Sequence, residues 1–348
     1  MSANQAFKEM LSRLNPTERQ HEAIRKTRET IDTTLKNYKK IHLPSTKQVS
    51  FFTGSYSRKT IIRPIDDIDL YVRIHYGQHA KDRPPIHILS LMRGALHRRY
   101  PNTKININLP CIVISFLGYK FEIVPAVGYE DNDDLYEIPA PRGRGWIQCY
   151  PNIPDKWISS SNQANNEMFI PLIKVLKQWR RNKAVPLKSF HLEMLTEMVF
   201  NNLEITDYPT AVYAWMHYVS QWIKENNKPF VLEPGKSDIF VDQYLYENPF
   251  KLIQVRKKID QGVKLAHRAF GFWRDGKEAR ARFVWKVMFG DKFPLPITGV
   301  SSNPPKLNIG MFTTPSPTKQ TFGSLFGQRP QKPSPNGALF RALLKREG

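Results

Sequence analysis

Residues 54–74 read GSYSRKTIIRPIDDIDLYVRI, and two features of this stretch decide how the chain is interpreted. From residue 67 onward polar and apolar positions alternate, which predicts a β-strand with one buried face. Asp67 and Asp69 lie two residues apart on this strand, so their carboxylates leave the same face and repel each other unless a cation lies between them. Eleven residues separate Asp67 from the Gly54-Ser55 pair, which follows the short apolar run VSFFT. The stretch therefore predicts a strand with a cation site, close to a glycine turn.

The composition is that of a basic protein with ample apolar residues for a core. The 348 residues include 52 Lys and Arg against 31 Asp and Glu, a formal charge of +21. This charge favours polyanionic partners such as nucleotides or nucleic acid, although a basic enzyme surface explains it equally well. Cys111 and Cys149 lack the paired spacing of a metal or redox site, which favours a reducing compartment. The opening residues MSANQAFKEM lack the apolar stretch of a secretion signal, so we expect a soluble, cytoplasmic protein.

The first half of the chain mixes helix and strand patterns. A long amphipathic helix is predicted to start at Asn15-Pro16-Thr17, with the proline in its first turn, and a strand is predicted to end at Gly54. Residues 84–100 have a helical pattern after their prolines. Residues 104–116 and 119–127 predict two strands of one hairpin, joined by a turn at Leu117-Gly118.

The second half is helical, and the end of the chain has a different composition. From about residue 165, apolar residues recur at intervals of three and four, which is typical of amphipathic helices. From residue 294, Pro, Ser, Thr and Gly are abundant, which indicates a flexible tail. We therefore predict an α+β fold with a mixed sheet: a catalytic module with a long N-terminal helix (1–165), a helical module (166–293) and a tail (294–348).

A third carboxylate completes a candidate metal site. Glu122 lies in the strand pattern KFEIVPA between Phe121 and Ile123, which point the opposite way. Three carboxylates on adjacent strands suit two Mg²⁺ ions, or Mn²⁺, which take hard oxygen ligands and keep positions for water and phosphate. An isolated Asp-x-Asp is more often a loop or a solvated strand face. The combination with Gly-Ser and a later strand glutamate favours a site.

The Gly54-Ser55 pair suggests what the metal site acts on. Glycine lets backbone N–H groups approach a phosphate closely, and a serine hydroxyl adds a donor. The pair is therefore a candidate to hold the β- and γ-phosphates of a nucleotide while the metals hold the α-phosphate. Glu122 would hold the metal that acidifies an attacking hydroxyl, and the other metal would stabilise the departing pyrophosphate.

Four stretches in this order are similar to a known family: GSYSRKTIIRPIDDIDLYV, FEIVPA, LIKVLKQWRRN…LKSFHLE and WKVMFGDKFP. They resemble the nucleotidyltransferase superfamily of the DNA polymerase β type. The detailed sequence of these stretches resembles that of one branch of the superfamily, the bacterial CD-NTases, which are relatives of cyclic GMP-AMP synthase and oligoadenylate synthetase. The resemblance covers roughly residues 15–296. It implies a polymerase β-like core followed by a helical domain similar to that of oligoadenylate synthetase.

The resemblance also implies roles for individual residues. Asp67, Asp69 and Glu122 match the metal-binding triad, with Glu122 where the family often has Asp. Gly54 and Ser55 match the phosphate-contacting pair.

Further roles are implied in the helical module. Lys177 matches a lysine that meets the triphosphate, and Lys174 is a weaker candidate one turn earlier. Ser189 matches a second triphosphate contact, and Phe190 matches an aromatic residue that stacks on a base. Residues 168–192 contain six Lys or Arg and no acid, which suits a triphosphate. Without the motif, a lysine there fits a solvated helix face better, and Phe190 fits a core position better.

The resemblance implies an enzyme that joins nucleoside triphosphates into a cyclic di- or trinucleotide messenger in antiphage defence. The substrates would be ATP and, as further candidates, GTP, UTP and CTP. A template-independent transferase that extends RNA ends uses the same triad and stays an alternative. A catalytically inert nucleic-acid sensor is a third. Two further partners are implied: a nucleic-acid activator, and a protein conjugated to the C-terminal Gly348.

Overall fold

The computed structural model describes residues 2–44, 48–129, 134–141, 145–201, 203–234 and 239–295. Two helices come first, α1 (Ala3–Leu14) and α2 (Glu18–Lys36). Thr17 caps α2, because its side chain accepts a hydrogen bond from the backbone of Gln20 while the Gln20 side chain bonds back to Thr17. The helix start predicted at residues 15–17 is confirmed, except that Pro16 precedes the cap and does not lie in the first turn.

A mixed sheet follows, as predicted. Its strands are β1 (Ser50–Thr53), β2 (Asp67–Arg73), β3 (Ile105–Asn108), β4 (Cys111–Phe116), β5 (Tyr119–Gly128), β6 (Tyr136–Pro139) and β7 (Trp146–Cys149). The main sheet has the order β1-β2-β5-β4-β3, and β6 joins the far end of β5 and then pairs with β7. The β2–β5 pair is parallel and the other pairs are antiparallel. Three helices lie between these strands: α3 (Gly54–Ser57), α4 (Tyr76–His79) and α5 (Pro85–Arg99).

The alternation predicted for residues 67–74 is present in the structure. Along β2, residues 68, 70 and 72 are buried and the residues between them are partly exposed. The hairpin predicted at Leu117-Gly118 is also confirmed, since Phe116 pairs with Tyr119 across the turn.

One predicted strand is wrong. Residues 104–116 form two strands, β3 and β4, rather than one, because the chain turns at Leu109-Pro110 and Asn108 pairs with Cys111. Proline has no N–H to donate to a sheet, which favours a turn at this position.

The remaining elements are helical. They are α6 (Asn152–Ala164), α7 (Phe169–Asn182), α8 (Ser189–Phe200), α9 (Tyr208–Glu225), α10 (Gln243–Tyr246), α11 (Pro249–Arg274), α12 (Glu278–Phe289) and a 3₁₀ turn (Gly290–Lys292). None of the helices in the described ranges is long and apolar enough to cross a bilayer. The predicted tail lies almost entirely outside the described residues, which end at 295.

The first helix packs against the helical half rather than against the sheet. The Phe7 ring lies 5.3 Å from that of Trp285, 5.4 Å from that of Phe289 and 5.1 Å from that of Phe293, in edge-on contacts. The core of the helical half accordingly includes α1. The chain thus passes from this core into the sheet and back, and residues 54–67 run where the two halves meet.

Candidate functional site

Gly54 is the first residue of α3 and makes the turn that follows β1 directly, and its lack of a side chain is required there. Its φ of +66° is unfavourable for other residues, and a Cβ at this position would lie 1.8 Å from Asp69 Oδ2. The close approach follows from the sheet, because Thr53 on β1 lies directly opposite Asp69 on β2. The carboxylate of Asp69 is therefore packed against the backbone of the turn.

The Ser55 carbonyl keeps the next residues folded back over the turn. It accepts hydrogen bonds from the backbone N–H groups of Thr60 at 2.9 Å and of Ile61 at 3.0 Å. The segment leading from Gly54 to β2 is thus compact, and it holds Arg58 and Thr60 beside the helical half.

The three predicted metal ligands lie on one face of two adjacent strands. Asp67 on β2 lies opposite Lys120 on β5, and Asp69 lies opposite Glu122, so the four side chains form a two-by-two array. Parallel strands are separated by about 4.8 Å, which places neighbouring members of the array within reach of one another. The structure thus brings together Asp67, Asp69 and Glu122 although 53 positions separate the last two.

Lys120 lies between two of these carboxylates. Its ammonium nitrogen is 3.0 Å from Asp67 Oδ1 and 3.0 Å from Glu122 Oε1. Lys120 donates a hydrogen bond to Glu122 and forms an ion pair with Asp67. In the ranges that the structure describes, no three Asp, Glu, His or Cys side chains are already close enough to hold a metal together.

The array nevertheless fits a divalent cation. Burial raises the pKa of Asp69 to about 6, and the negative charges of Glu122 and Asp67 act in the same direction, against Arg58. Mutual repulsion of this kind is relieved when a cation binds. Three carboxylates, which are hard oxygen donors, on one face of two adjacent strands form a suitable set for Mg²⁺ or Mn²⁺.

A cleft of about 220 Å³ opens beside the array, between the turn and the helical half. Most of the residues that the sequence singled out line it: Gly54, Ser55, Asp67, Asp69, Lys177, Ser189 and Phe190. Glu122 lies outside this lining, on the β5 side of the array. Lys174 also lies outside it, with its ammonium group bonded to Asn15 Oδ1 at 2.7 Å.

Lys177 lines the cleft, but its ammonium group is already held by protein atoms. It lies 2.9 Å from Thr60 Oγ1, 3.1 Å from the Thr60 carbonyl and 2.6 Å from Glu193 Oε1. An ammonium group has three protons, so these three acceptors use all of its donors. The side chain is buried, and it links α7 to the segment that follows the Gly54 turn.

Glu193 is a site residue that the sequence analysis missed. It is fully buried on α8 and accepts hydrogen bonds from Arg58 Nε at 2.8 Å and from Thr60 Oγ1 at 2.6 Å, in addition to its pair with Lys177. Burial alone would raise the pKa of Glu193, but the positive charges of Arg58 and Lys177 outweigh burial and lower it to about 2. One sequence signal was available, because Glu193 is the first acid after the acid-free stretch 168–192.

Arg58 connects this buried network to the predicted base-stacking residue. Its guanidinium carbon lies 5.2 Å from the centroid of the Phe190 ring, a cation–π contact. Arg58 therefore supports Phe190 while Glu193 holds Arg58 in place.

Two further arginines give the helical side of the cleft a positive charge. Arg181 bonds to Asp66 Oδ2 at 2.8 Å and to the Pro64 carbonyl at 3.0 Å, and Arg180 bonds to the Leu187 carbonyl at 2.6 Å. Each still has a buried nitrogen without a hydrogen-bond partner, Nε of Arg180 and Nη1 of Arg181. The cleft thus has carboxylates on its sheet side and arginines on its helical side. This arrangement suits a metal-bound polyphosphate.

Comparisons with known proteins agree on one kind of protein. A family model described as the Second Messenger Oligonucleotide or Dinucleotide Synthetase domain matches residues 1–162. The cyclic AMP-AMP-AMP synthase of an Acinetobacter species is 24% identical over 324 residues, which cover 87% of this chain and 89% of that protein.

Two solved structures share the fold. Escherichia coli MS115-1 CdnC with ATP is 17% identical, with a TM-score of 0.63 over 84% of this chain and 99% of that one. The Vibrio cholerae DncV cyclic AMP-GMP synthase in complex with the linear intermediate pppA(3′,5′)pG is 14% identical, with a TM-score of 0.65 over 84% of this chain and 96% of that one. The described residues therefore have the architecture of these two enzymes.

Proposed function

We propose that the chain is a cyclic oligonucleotide synthase of the CD-NTase family, in line with the family model over residues 1–162 and with its relatives, and that it joins nucleoside triphosphates into a cyclic di- or trinucleotide and releases pyrophosphate. The observation that carries the proposal is the array of Asp67, Asp69 and Glu122 on one sheet face, packed against the Gly54 turn. A phosphate held at that turn would lie beside the carboxylates. ATP is the first candidate substrate, and GTP, UTP and CTP are the others.

The residues of the array would hold two Mg²⁺ ions, and Mn²⁺ has the same ligand preference. When bound, such ions acidify an attacking ribose hydroxyl and neutralise charge on the departing pyrophosphate. Asp67 and Asp69 are on β2, which is nearer to the Gly54 turn than β5 is, so they are suited to ions that also contact the nucleotide. Glu122, one strand further from the turn, is suited to the ion beside the attacking hydroxyl.

The protein's own groups would bind and orient the nucleotide. Ser55 lies at the turn, and Arg180 and Arg181 line the cleft, where their positive charges would attract the phosphates. Phe190 offers a ring face to a base, and Arg58 keeps that ring in position. Ser189 adds a hydroxyl next to it. Lys177 would supply positive charge to the cleft from its buried position beside Thr60 and Glu193. Its ammonium group could contact a phosphate only by giving up one of its three hydrogen bonds.

A product assay tests the proposal. The purified protein is incubated with Mg²⁺ and labelled triphosphates, and products that survive phosphatase are identified by mass spectrometry. We expect a cyclic product that is absent when Mg²⁺ is removed and absent in the Asp67→Asn, Asp69→Asn double variant. An open-ended ladder on an added RNA primer would favour an RNA-end transferase instead. RNA binding without turnover, unchanged in the double variant, would favour an inert sensor.

Three further roles are part of the proposal and have separate tests. A place in antiphage defence predicts that the genes beside this one encode an effector that responds to the product. A nucleic-acid activator predicts stimulation of synthesis that falls steeply as salt rises, because phosphate contacts depend on ionic strength. Conjugation through Gly348, which lies outside the described residues, predicts an adduct in cells that disappears when this glycine is deleted. We expect all of this in the cytoplasm.

A further inference from the structure

We propose that Lys120 is a built-in counterion of the carboxylate array: it occupies the metal position between Asp67 and Glu122 and competes with a divalent cation for it. The inference rests on the proposed function, because it concerns the metal site of that reaction. Lys120 is therefore a positioning residue that controls when metal enters, and it is neither a metal ligand nor a contact to substrate.

The geometry of the strands places the ammonium group in this position. Lys120 and Glu122 are two residues apart on β5 and point to the same side, and Lys120 lies opposite Asp67 in the register. The ammonium nitrogen is equidistant from the two carboxylates, 3.0 Å from an oxygen of each. The spacing of Lys120 and Glu122 on β5, together with the register of β5 against β2, is therefore sufficient to place the ammonium group between the two carboxylates.

The ammonium group and a metal ion exclude each other. An Mg²⁺ ion binds oxygens at about 2.0–2.1 Å, so an ion shared by Asp67 and Glu122 would lie where the lysine nitrogen now lies. Two cations between the same oxygens would also repel each other. The charged groups that face this position are Asp67, Asp69 and Glu122 from the strands and Arg58 from the turn, the last acting on Asp69.

Lys120 can leave without disrupting the fold. Its side chain is 40% exposed, whereas the other carboxylate-paired lysine near the cleft, Lys177, is 6% exposed. Exposed ion pairs are weak, so a divalent cation with enough ligands can displace the ammonium group. A nucleotide supplies such ligands through its phosphates. The free array therefore disfavours a metal ion alone and favours metal that arrives with nucleotide.

A direct binding measurement tests this without any use of catalysis. Free Mn²⁺ is titrated into the full chain without nucleotide, and the unbound ion is counted by electron paramagnetic resonance. The variants are Lys120→Met and Lys120→Gln, which remove the charge, and Lys120→Arg, which keeps it. The control is Lys224→Met, which removes the same charge from another exposed pair, Lys224 Nζ to Asp260 Oδ1 at 2.6 Å on α9 and α11.

We expect Lys120→Met and Lys120→Gln to bind Mn²⁺ about tenfold more tightly than the parent, which equals about 1.4 kcal/mol. Lys120→Arg and Lys224→Met should stay within about twofold of the parent. Equal affinity in the parent and both neutral variants would overturn the inference, and so would an equal gain in Lys224→Met. Tighter binding in the neutral variants, together with no product from any variant, would support the counterion and refute the proposed reaction. No binding at the array in any protein would overturn both.

Discussion

Glu193→Gln probes the buried charge beneath the cleft, because it keeps the shape of the side chain while it removes the charge and turns one acceptor oxygen into a donor amide. In the parent, Lys177 donates to Oε1 and Arg58 donates to Oε2. In the variant these two cations keep their buried positions without a counter-charge, and one of them faces an amide that is itself a donor. We therefore expect a large loss of stability from a small change of structure.

The size of the loss follows from the electrostatics. A glutamate whose pKa is about 2 instead of 4.5 gains about 3 kcal/mol from its folded surroundings. Removing one partner from a buried ion pair costs about 3–5 kcal/mol in general. The free energy of unfolding at pH 7 should therefore fall by at least about 3 kcal/mol.

The pH dependence has a definite sign. Because folding lowers the pKa of Glu193, its contribution is fully present above pH about 4.5 and is lost as the pH falls toward about 2. The stability difference between the parent and Glu193→Gln should therefore be constant from pH 7 to about 5 and should shrink below that.

Glu197→Gln is the matched control, one turn later on the same helix. Burial raises the pKa of Glu197 to about 7, so its protonated form, which Gln resembles, is favoured in the fold. The stability contributed by that proton is present below pH about 4.5 and is lost as the pH rises through about 7. At pH 7 and above the control should therefore be at least as stable as the parent, and this advantage should shrink as the pH falls toward about 4.5.

The free energy of unfolding of both variants is measured by urea denaturation followed by circular dichroism. The comparison is valid only if the variants and the parent have equal m-values. A loss below about 1 kcal/mol for Glu193→Gln, or a loss equal to that of Glu197→Gln, would refute the electrostatic account. A difference from the parent that stays the same down to pH 3 would refute it as well.

Three other predictions concern the cleft. Gly54→Ala should abolish product formation, because its Cβ would lie 1.8 Å from Asp69 Oδ2. Gly118→Ala is the control, since Gly118 also has a positive φ (+95°) but no atom within 4 Å of the added Cβ. It should lower the free energy of unfolding by about 1–2 kcal/mol in a thermal melt and leave synthesis unchanged. Phe190→Ala should raise the KM for the triphosphate about tenfold with little change in kcat, and Phe190→Tyr should restore the KM if the ring stacks on a base. Asp69→Asn should weaken Mn²⁺ binding at least tenfold in the titration described above, and unchanged binding would place the metal elsewhere.

Local patterns were sufficient for the elements that position the site. The alternation from residue 67 identified β2 and put Asp67 and Asp69 on one face, because a strand has a period of two residues whatever surrounds it. The cap at Thr17 and the turn at Leu117-Gly118 likewise depend on neighbours in the chain. The one strand predicted wrongly, residues 104–116, contains its own turn signal in Leu109-Pro110.

The tertiary structure alone decided which charges meet. The family resemblance implied that Lys177 meets the triphosphate, yet folding surrounds its ammonium group with Thr60 and Glu193. It also placed Lys120 between Asp67 and Glu122 through the pairing of two strands that are distant in the chain. Coulomb interactions depend on distance and burial, and both are set by packing between segments that no local pattern relates. The amino-acid sequence therefore determined which chemical groups are available, and the packing of the sheet against the helices determined which of them are neutralised.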